Sequence, residues 1–381
     1  MSNKEISWWM PVVILAMLAL VVILFSLLVV KSAKISNVNH ERQYATEQQV
    51  SHQQVFQWKM VTTWPKNFPG LGLAPENFAA LVREMSNGRL QIQVHGANEI
   101  VPALGVFDAV SSGSVQMGHG AAYYWKGKIA AAPFFTSVPF GMNAQELNGW
   151  LHYGEGLSLW RELYAPFNLI PFAAGNTGVQ MGGWFNKEIN SIADLKGLKM
   201  RIPGLGGEVF TRAGGEAVNI PGGELYTSLQ SGVIDATEWV GPYNDLAFGF
   251  HQIAKYYYYP GWHEPGPTLE IIVNKHAYNS LPGDLQKMIE VAARAVNQDM
   301  LDEYTARNNS ALVELVEKHG VEIRQFPDDM LAKLRDISLQ VYQENAEKDP
   351  QFEKVYNSYK TYLNGVRKYH KITEESYFRT R

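Results

Sequence analysis

From Trp8 to Val30 the chain carries no charged side chain and almost nothing polar. No other stretch limits the fold so severely. Backbone inside hydrocarbon must satisfy its own hydrogen bonds, so an uncharged run of this length reads as a helix. At about 1.5 Å per residue it spans the ~30 Å core of a bilayer. The apolar core of a removable signal peptide is shorter, about 7–15 residues. Ser32-Ala33 are small, but Lys31 and Lys34 flank them, which makes a poor cleavage site. Residues 1–35 are therefore read as an uncleaved signal anchor, with a cleaved signal as the alternative. Trp8 and Trp9 suit the headgroup level. Lys4 before the run, against Lys31 and Lys34 after it, weakly favours keeping the remainder inside.

Residues 36–54 are polar and rich in Gln, Asn, Glu and His, and read as a tether. The chain of 381 residues is 46% apolar and 18% charged, enough for two ordinary domains after the tether. A net charge of −4 gives no basic footprint, so a nucleic-acid partner is not expected. The absence of cysteine excludes disulfides, thiolate metal sites and a lipidated cysteine anchor.

Beyond the tether, strand and helix patterns alternate, which argues for α/β sheets. Strands are expected at Phe56–Thr63, Leu90–Val94, Val115–Gly118, Leu169–Gly175, Val233–Glu238, Lys255–Pro260, Leu269–Asn274 and Val321–Phe326. One helix is expected over Gln145–Ala165, and one or two over Pro282–Lys318. A helical tail follows from Pro327, interrupted at Asp349-Pro350. The loop GHGAAYYW lies at a strand's carboxyl end, where open α/β sheets bind ligands. Tyr123, Tyr124 and Trp125 are thus candidate pocket walls, or ordinary core aromatics.

The stretch Lys199 to Pro242 carries the chemistry. An apolar strand holds one lone cation, Arg201. A glycine-rich turn follows, and the stretch ends at Glu238-Trp239 before Gly241-Pro242. A buried arginine is costly unless an anion pairs with it. Its planar fork fits a carboxylate at two points. The first reading is a place for a small carboxylate.

MRIPGLGGEVFTRAGGEAV followed by PGGELYTSLQSGVIDATEW resembles the solute-binding subunit of tripartite ATP-independent periplasmic (TRAP) transporters, the DctP-like family. The likeness is strongest to members that bind 2-oxo acids and related monocarboxylates with a metal ion. TWPKNFPG and NTGVQMGGWFN fit the same subgroup, and the similarity covers roughly residues 56–369. The resemblance implies the bilobal periplasmic-binding-protein fold, with crossover strands near residues 176–186 and 260–274. Lobe I would hold residues 55–177 and 273–326, lobe II residues 178–272, and a long C-terminal helical segment residues 327–381. It also places the soluble part in the periplasm, overriding the weak charge signal, beside TRAP membrane subunits; the uncleaved anchor would tether it to the inner membrane. Some members of the subgroup exchange the C-terminal helix between chains, so the apolar stripe from Val341 to Tyr369 is read as the seam of a swapped homodimer, or as packing on its own lobe.

Five positions match the family's ligand and metal pattern. The resemblance implies that Arg201 takes the ligand carboxylate. Gln180, Glu238, the Trp239 carbonyl and Glu264 would hold a cation that also touches the ligand. Gln180, Trp239 and Tyr124 would line the substrate. The chemistry is coherent on its own terms. A 2-oxo or 2-hydroxy acid offers two adjacent oxygens, and a hard cation accepts oxygens from carboxylates, amides and carbonyls. Two glutamates and one ligand carboxylate against one arginine leave two negative charges, which suits Ca²⁺ as well as Na⁺. Taken singly, each position has a plainer reading: Arg201 in a surface ion pair, Glu238 as a solvated or capping acid, Trp239 as core, Glu264 as a loop acid. His263 and His119, without a second histidine at ligand spacing, read as structural.

No cysteine nucleophile, HExxH or GxSxG is present. GLGG and RAGGEAV lack the Lys-Ser/Thr pair of a phosphate loop and read as turns. A binding protein that closes by hinge motion therefore leads. The alternatives are a metal-dependent enzyme acting on 2-oxo acids, where a substrate-chelated cation would serve as Lewis acid, and a ligand-presenting component of a sensor.

Overall fold

The structure, a computed structural model, describes residues 10–50 and 54–381. One helix, α1 (Met10–Val50), takes in the apolar run and nearly all of the polar segment after it. Pro11–Ser32, of mean hydropathy 3.3, is long and apolar enough to cross a membrane. The expected tether is helical to Val50 rather than coil. Glu, Gln, Arg and Ala fill it, and neither Gly nor Pro interrupts it. Trp8, Trp9 and residues 51–53 of the tether lie outside the described residues.

Phe56–Arg381 is a separate unit. It begins with β1 (Phe56–Thr62), α2 (Leu73–Met85), β2 (Leu90–His95), α3 (Val106–Ser111) and β3 (Met117–Gly120). Residues Gln145–Ala165 make two helices, α4 (Ala144–Tyr153) and α5 (Gly156–Tyr164). Gly154 turns the chain between them, its N–H closing on the Gly149 and Trp150 carbonyls. Asn143 and Glu146 start α4 with a reciprocal capping box. The chain then forms β4 (Leu169–Asn176), β5 (Gly183–Phe185), β6 (Lys199–Arg201), α6 (Gly204–Arg212), β7 (Glu216–Val218) and α7 (Leu225–Gln230). After these come β8 (Ala236–Thr237), α8 (Pro242–Phe248), β9 (Tyr256–Tyr259), β10 (Thr268–Asn274), α9 (Lys275–Ser280) and α10 (Gly283–Glu317). The last elements are β11 (Glu322–Gln325), α11 (Asp328–Lys348), α12 (Pro350–Ile372) and α13 (Glu374–Phe378).

These strands make two mixed sheets, ordered β2-β1-β3-β10-β4 and β11-β9-β5-β8-β6-β7. β1 runs parallel to β2 and β3, and β10 enters antiparallel between β3 and β4. β6 is parallel to β7 and β8, and β5 is antiparallel to β8 and β9. The chain passes between the sheets after β4 and again after β9. A third passage was not expected: β11 pairs in parallel with β9, in the second sheet rather than the first lobe. The cause is α10. Its 35 residues, at about 1.5 Å each, carry the chain from β4 and α2 to α8. β10 also belongs to the first sheet from Thr268, a few residues before the expected boundary.

Two apolar clusters fill the unit, and each draws on both sheets. Val61 and Phe135 share one with Phe185 and Val209, while Met60 and Phe172 share the other with Trp184 and Tyr257. The sheets are thus packed against one another in a closed arrangement. α11 rests on α6, and α12 rests on α4 and α5.

Candidate functional site

Arg201 is the last residue of β6 and is 1% exposed. Glu238 and Trp239 follow directly on β8, the neighbouring parallel strand. Tyr123 and Tyr124 sit in a 3-10 turn just past the carboxyl end of β3. Gln180 lies in the passage between β4 and β5, and His263 and Glu264 in the passage between β9 and β10. The site is therefore assembled from strand ends of both sheets and from two of the passages joining them, as expected for an open α/β sheet. Gln180 lies in a loop rather than the strand-like run expected for it.

Each nitrogen of the guanidinium is engaged. Nη1 donates to the Glu238 carboxylate and, at 3.3 Å, to the Glu238 carbonyl. Nη2 donates to the Tyr124 hydroxyl at 3.1 Å, and Nε to the Ile220 carbonyl at 3.2 Å. Its carbon lies 5.1 Å from the Trp239 ring centre, a cation–π contact. Burial is the largest single influence and works against the charge, but Glu238, Tyr124, Tyr123 and Glu264 together outweigh it, and the Arg201 pKa is raised. Arg201 and Glu238 were expected on opposite sides of a bound acid. Here they pair directly, because a buried guanidinium in a closed cleft takes the nearest carboxylate.

Around this pair lie groups with unused capacity. Glu264 is 4% exposed, and its Oε2 has no hydrogen-bond partner among the described residues. The same holds for Gln180 Oε1 and His263 Nδ1. Gln180 Nε2 donates to the Thr177 hydroxyl at 3.2 Å, which leaves its oxygen free. Burial, reinforced by the Glu238 charge, pushes the Glu264 carboxyl well above the usual carboxylate range. His263 Nε2 lies 3.4 Å from Glu238 Oε2. Glu238, His263 and Glu264 present ligand atoms within 4.8 Å of one another. Orphaned oxygens beside a carboxylate held off its natural ionisation are what a hard cation would relieve. The residues present fit such an ion: Gln180, Glu238 and Glu264 supply oxygen donors, and the Trp239 backbone stands beside them.

The adjoining pocket is walled by Trp64, Leu71, Tyr123, Tyr124, Thr177, Gln180, Trp239, Val240, Pro267 and Leu269, with a free volume of only ≈ 10 Å³. Trp64 meets Trp239 edge-on at 6.1 Å between ring centres. Its Nε1–H donates to His119 Nδ1 at 2.8 Å, and His119 Nε2 pairs with the Ala174 carbonyl at 3.0 Å. Burial lowers the His119 pKa to about 4, so this ring is a neutral strut. Gly222 is required in the PGGE turn: a Cβ there would lie 2.3 Å from the Trp239 ring. A larger concavity, ≈ 540 Å³ between α2 and the β1–β2 edge, holds none of these groups.

All five motif positions and Tyr124 converge. Tyr124 reaches the site by binding Arg201. His263 was read as structural from sequence, yet it faces Glu238; its adjacency to Glu264 was the available signal. Trp64 and Thr177 carried no separate signal beyond their loops.

Comparison with known proteins bears on this geometry. The family described as bacterial extracellular solute-binding protein, family 7, matches residues 60–349. A monocarboxylate 2-oxoacid-binding periplasmic protein of Nostoc sp. is 47% identical over 84% of this chain and 87% of its own. A TRAP periplasmic solute-binding protein of Pseudoalteromonas atlantica, crystallised with sodium and pyruvate, is 48% identical with a TM-score of 0.84, over 86% of this chain and 100% of its own. One from Colwellia psychrerythraea, with calcium and pyruvate, is 46% identical with a TM-score of 0.84 over the same shares.

Proposed function

Because the chain belongs to family 7 of the bacterial extracellular solute-binding proteins, the DctP family of TRAP binding subunits, we propose that its cleft captures a small 2-oxo monocarboxylate, pyruvate or a near homologue, together with Na⁺ or Ca²⁺. The family is one of periplasmic transport proteins working with TRAP membrane subunits, which sets aside the metal-dependent enzyme. The observation that carries the ligand reading is the buried Arg201–Glu238 pair beside the partnerless oxygens of Gln180 and Glu264.

In this reading Glu238, Glu264, Gln180 and the Trp239 carbonyl hold the cation. Arg201 turns part of its fork from Glu238 to the acid's carboxylate, and Tyr124 steadies the fork. The cation takes the carboxylate and 2-oxo oxygens at once and cancels repulsion between the acid and the two glutamates. Trp64 and Trp239 cover the planar acid and exclude water, which strengthens each of these contacts. A native mass spectrum of residues 56–381 tests this. That unit holds both of its apolar clusters internally, and the two crystallised relatives are covered over their whole length by 86% of this chain. The expected spectrum shows one acid and one cation per chain, both lost in Arg201→Met. A wild-type spectrum without either speaks against the reading.

Tethering through α1 is part of the same proposal. Carbonate-resistant membrane association of the full chain supports it, and a mature N-terminus beyond Ala33 rules it out. The apolar side of α12, with Phe352, Val355, Tyr359 and Leu363 buried, already packs on its own chain. A helix-swapped homodimer would reuse those contacts, with the Asp349-Pro350 break as its hinge. Light scattering of residues 56–381 at the mass of one chain eliminates the dimer.

A further inference from the structure

Away from the cleft, α11 and α12 enclose a groove of ≈ 160 Å³ against Phe134 to Gly141. Its walls are aromatic: Phe134, Phe140, Tyr342, Tyr356 and Tyr359. An engineered apolar cavity of about 150 Å³ takes up benzene, so the space has the scale of one ring or a short acyl chain. Arg335, Lys360 and Arg367 stand at its edge, all exposed, and no acid lines it. Among the described residues their contacts are with neutral groups. Arg335 lies over the Phe140 ring at 5.1 Å, Lys360 over the Tyr356 ring at 5.5 Å, and Arg367 donates to the Phe140 carbonyl.

The walls are fixed in place. Tyr342 donates to the Pro139 carbonyl at 2.6 Å, and the Met142 N–H donates to the Tyr359 hydroxyl at 2.6 Å. Phe140 itself adopts φ +52°, a left-handed conformation that a bulky side chain rarely takes. Its N–H bond to the Trp262 carbonyl at 2.7 Å and its stacking on Trp262 hold it there. A preformed apolar slot costs little ordering when filled. Cations that pair with no acid among the described residues supply the complementary charge.

We propose that this groove is a second binding site, for an amphiphilic organic anion: an aromatic or short aliphatic body with one carboxylate or sulfonate head. Its body would lie in the slot against Phe140, Tyr356 and Leu363, and its head would meet Arg335, Lys360 and Arg367. The proposal is independent of what the cleft binds.

The test is a fluorescence titration of residues 56–381 with 1-anilinonaphthalene-8-sulfonate, followed by displacement with octanoate. One saturable, blue-shifted site per chain is expected, emptied by octanoate. The double variant Arg335→Gln/Lys360→Gln should weaken it about tenfold or more, since a charge-assisted bond is worth roughly 1.5–3 kcal/mol. Leu339→Trp, at a rim position 54% exposed, should block it. Circular dichroism matching the wild type shows that both variants are folded. Non-saturable uptake, or a site indifferent to both variants, would mark adsorption to stray apolar surface and overturn the proposal. So would a chain that binds no probe because a second copy covers the groove.

Discussion

Arg201→Met should destabilise the unliganded protein and Glu264→Gln should not, while both should weaken binding. The first leaves the Glu238 carboxylate buried without its cation, which costs about 3–5 kcal/mol when a buried pair is broken. The second removes a carboxyl whose ionisation burial and the Glu238 charge both disfavour, so the unliganded protein keeps its melting temperature or gains. Both should lose acid binding, which melting curves with and without pyruvate and Ca²⁺ would show. His119 gives a pH signature. Its folded pKa of about 4 lies below the 6.5 of an unfolded histidine, so its contribution is complete above 6.5 and lost as pH falls toward 4. Glu270, pushed up to about 7 by burial between Trp125 and Tyr164, acts with the opposite sign, losing its contribution as pH rises to 7. Denaturation of His119→Gln against wild type across pH 4–7 should isolate the histidine: the wild type loses ground to the variant as pH falls. A gap constant with pH would contradict it. At this scale the sequence was informative because Arg201, Glu238 and Glu264 stand in a distinctive motif. The direct Arg201–Glu238 pair was not legible, since motif spacing does not say which side chains meet when a cleft is shut.

Elements with a clear period or a clear stop were legible. The alternation in β1 and β2 and the apolar run of β10 fall close to where the pattern put them. Gly154 split one expected helix into α4 and α5, because glycine both permits the turn and weakens the helix. The tether was misjudged for the converse reason: polarity signals exposure, whereas helix propensity decided its backbone. The lobe of β11 was hidden because a four-residue strand carries no mark of its partner; only the reach of α10 determines it. α12 makes the strongest prediction here. Ending the chain at Lys348 removes Phe352 and Tyr359 from contact with Phe134 and Trp150, and with them the buried Val355 and Leu363. Each large apolar side chain contributes roughly 1.5–3 kcal/mol by burial. The shortened chain should be largely unfolded at room temperature, by circular dichroism. Retention of a cooperative wild-type melt would show instead that α12 is an appendage.

On the scale of the whole molecule, the two sheets are locked by clusters that span both, by α10 across one side, and by Trp64 against Trp239 over the site. With so little free volume in the cleft, a ligand can enter only if the sheets part, and the passages after β4 and β9 carry Gln180 and Glu264 as they do. Under the proposed function, closure brings donors from both passages to one cation, so acid and ion are expected to bind together or not at all. Calorimetric titration of pyruvate into residues 56–381, stripped of Na⁺ and Ca²⁺ in a choline buffer, examines that dependence directly. The account predicts no binding heat in the stripped buffer and its return on adding Ca²⁺ or Na⁺. Pyruvate bound equally tightly without either cation would contradict it.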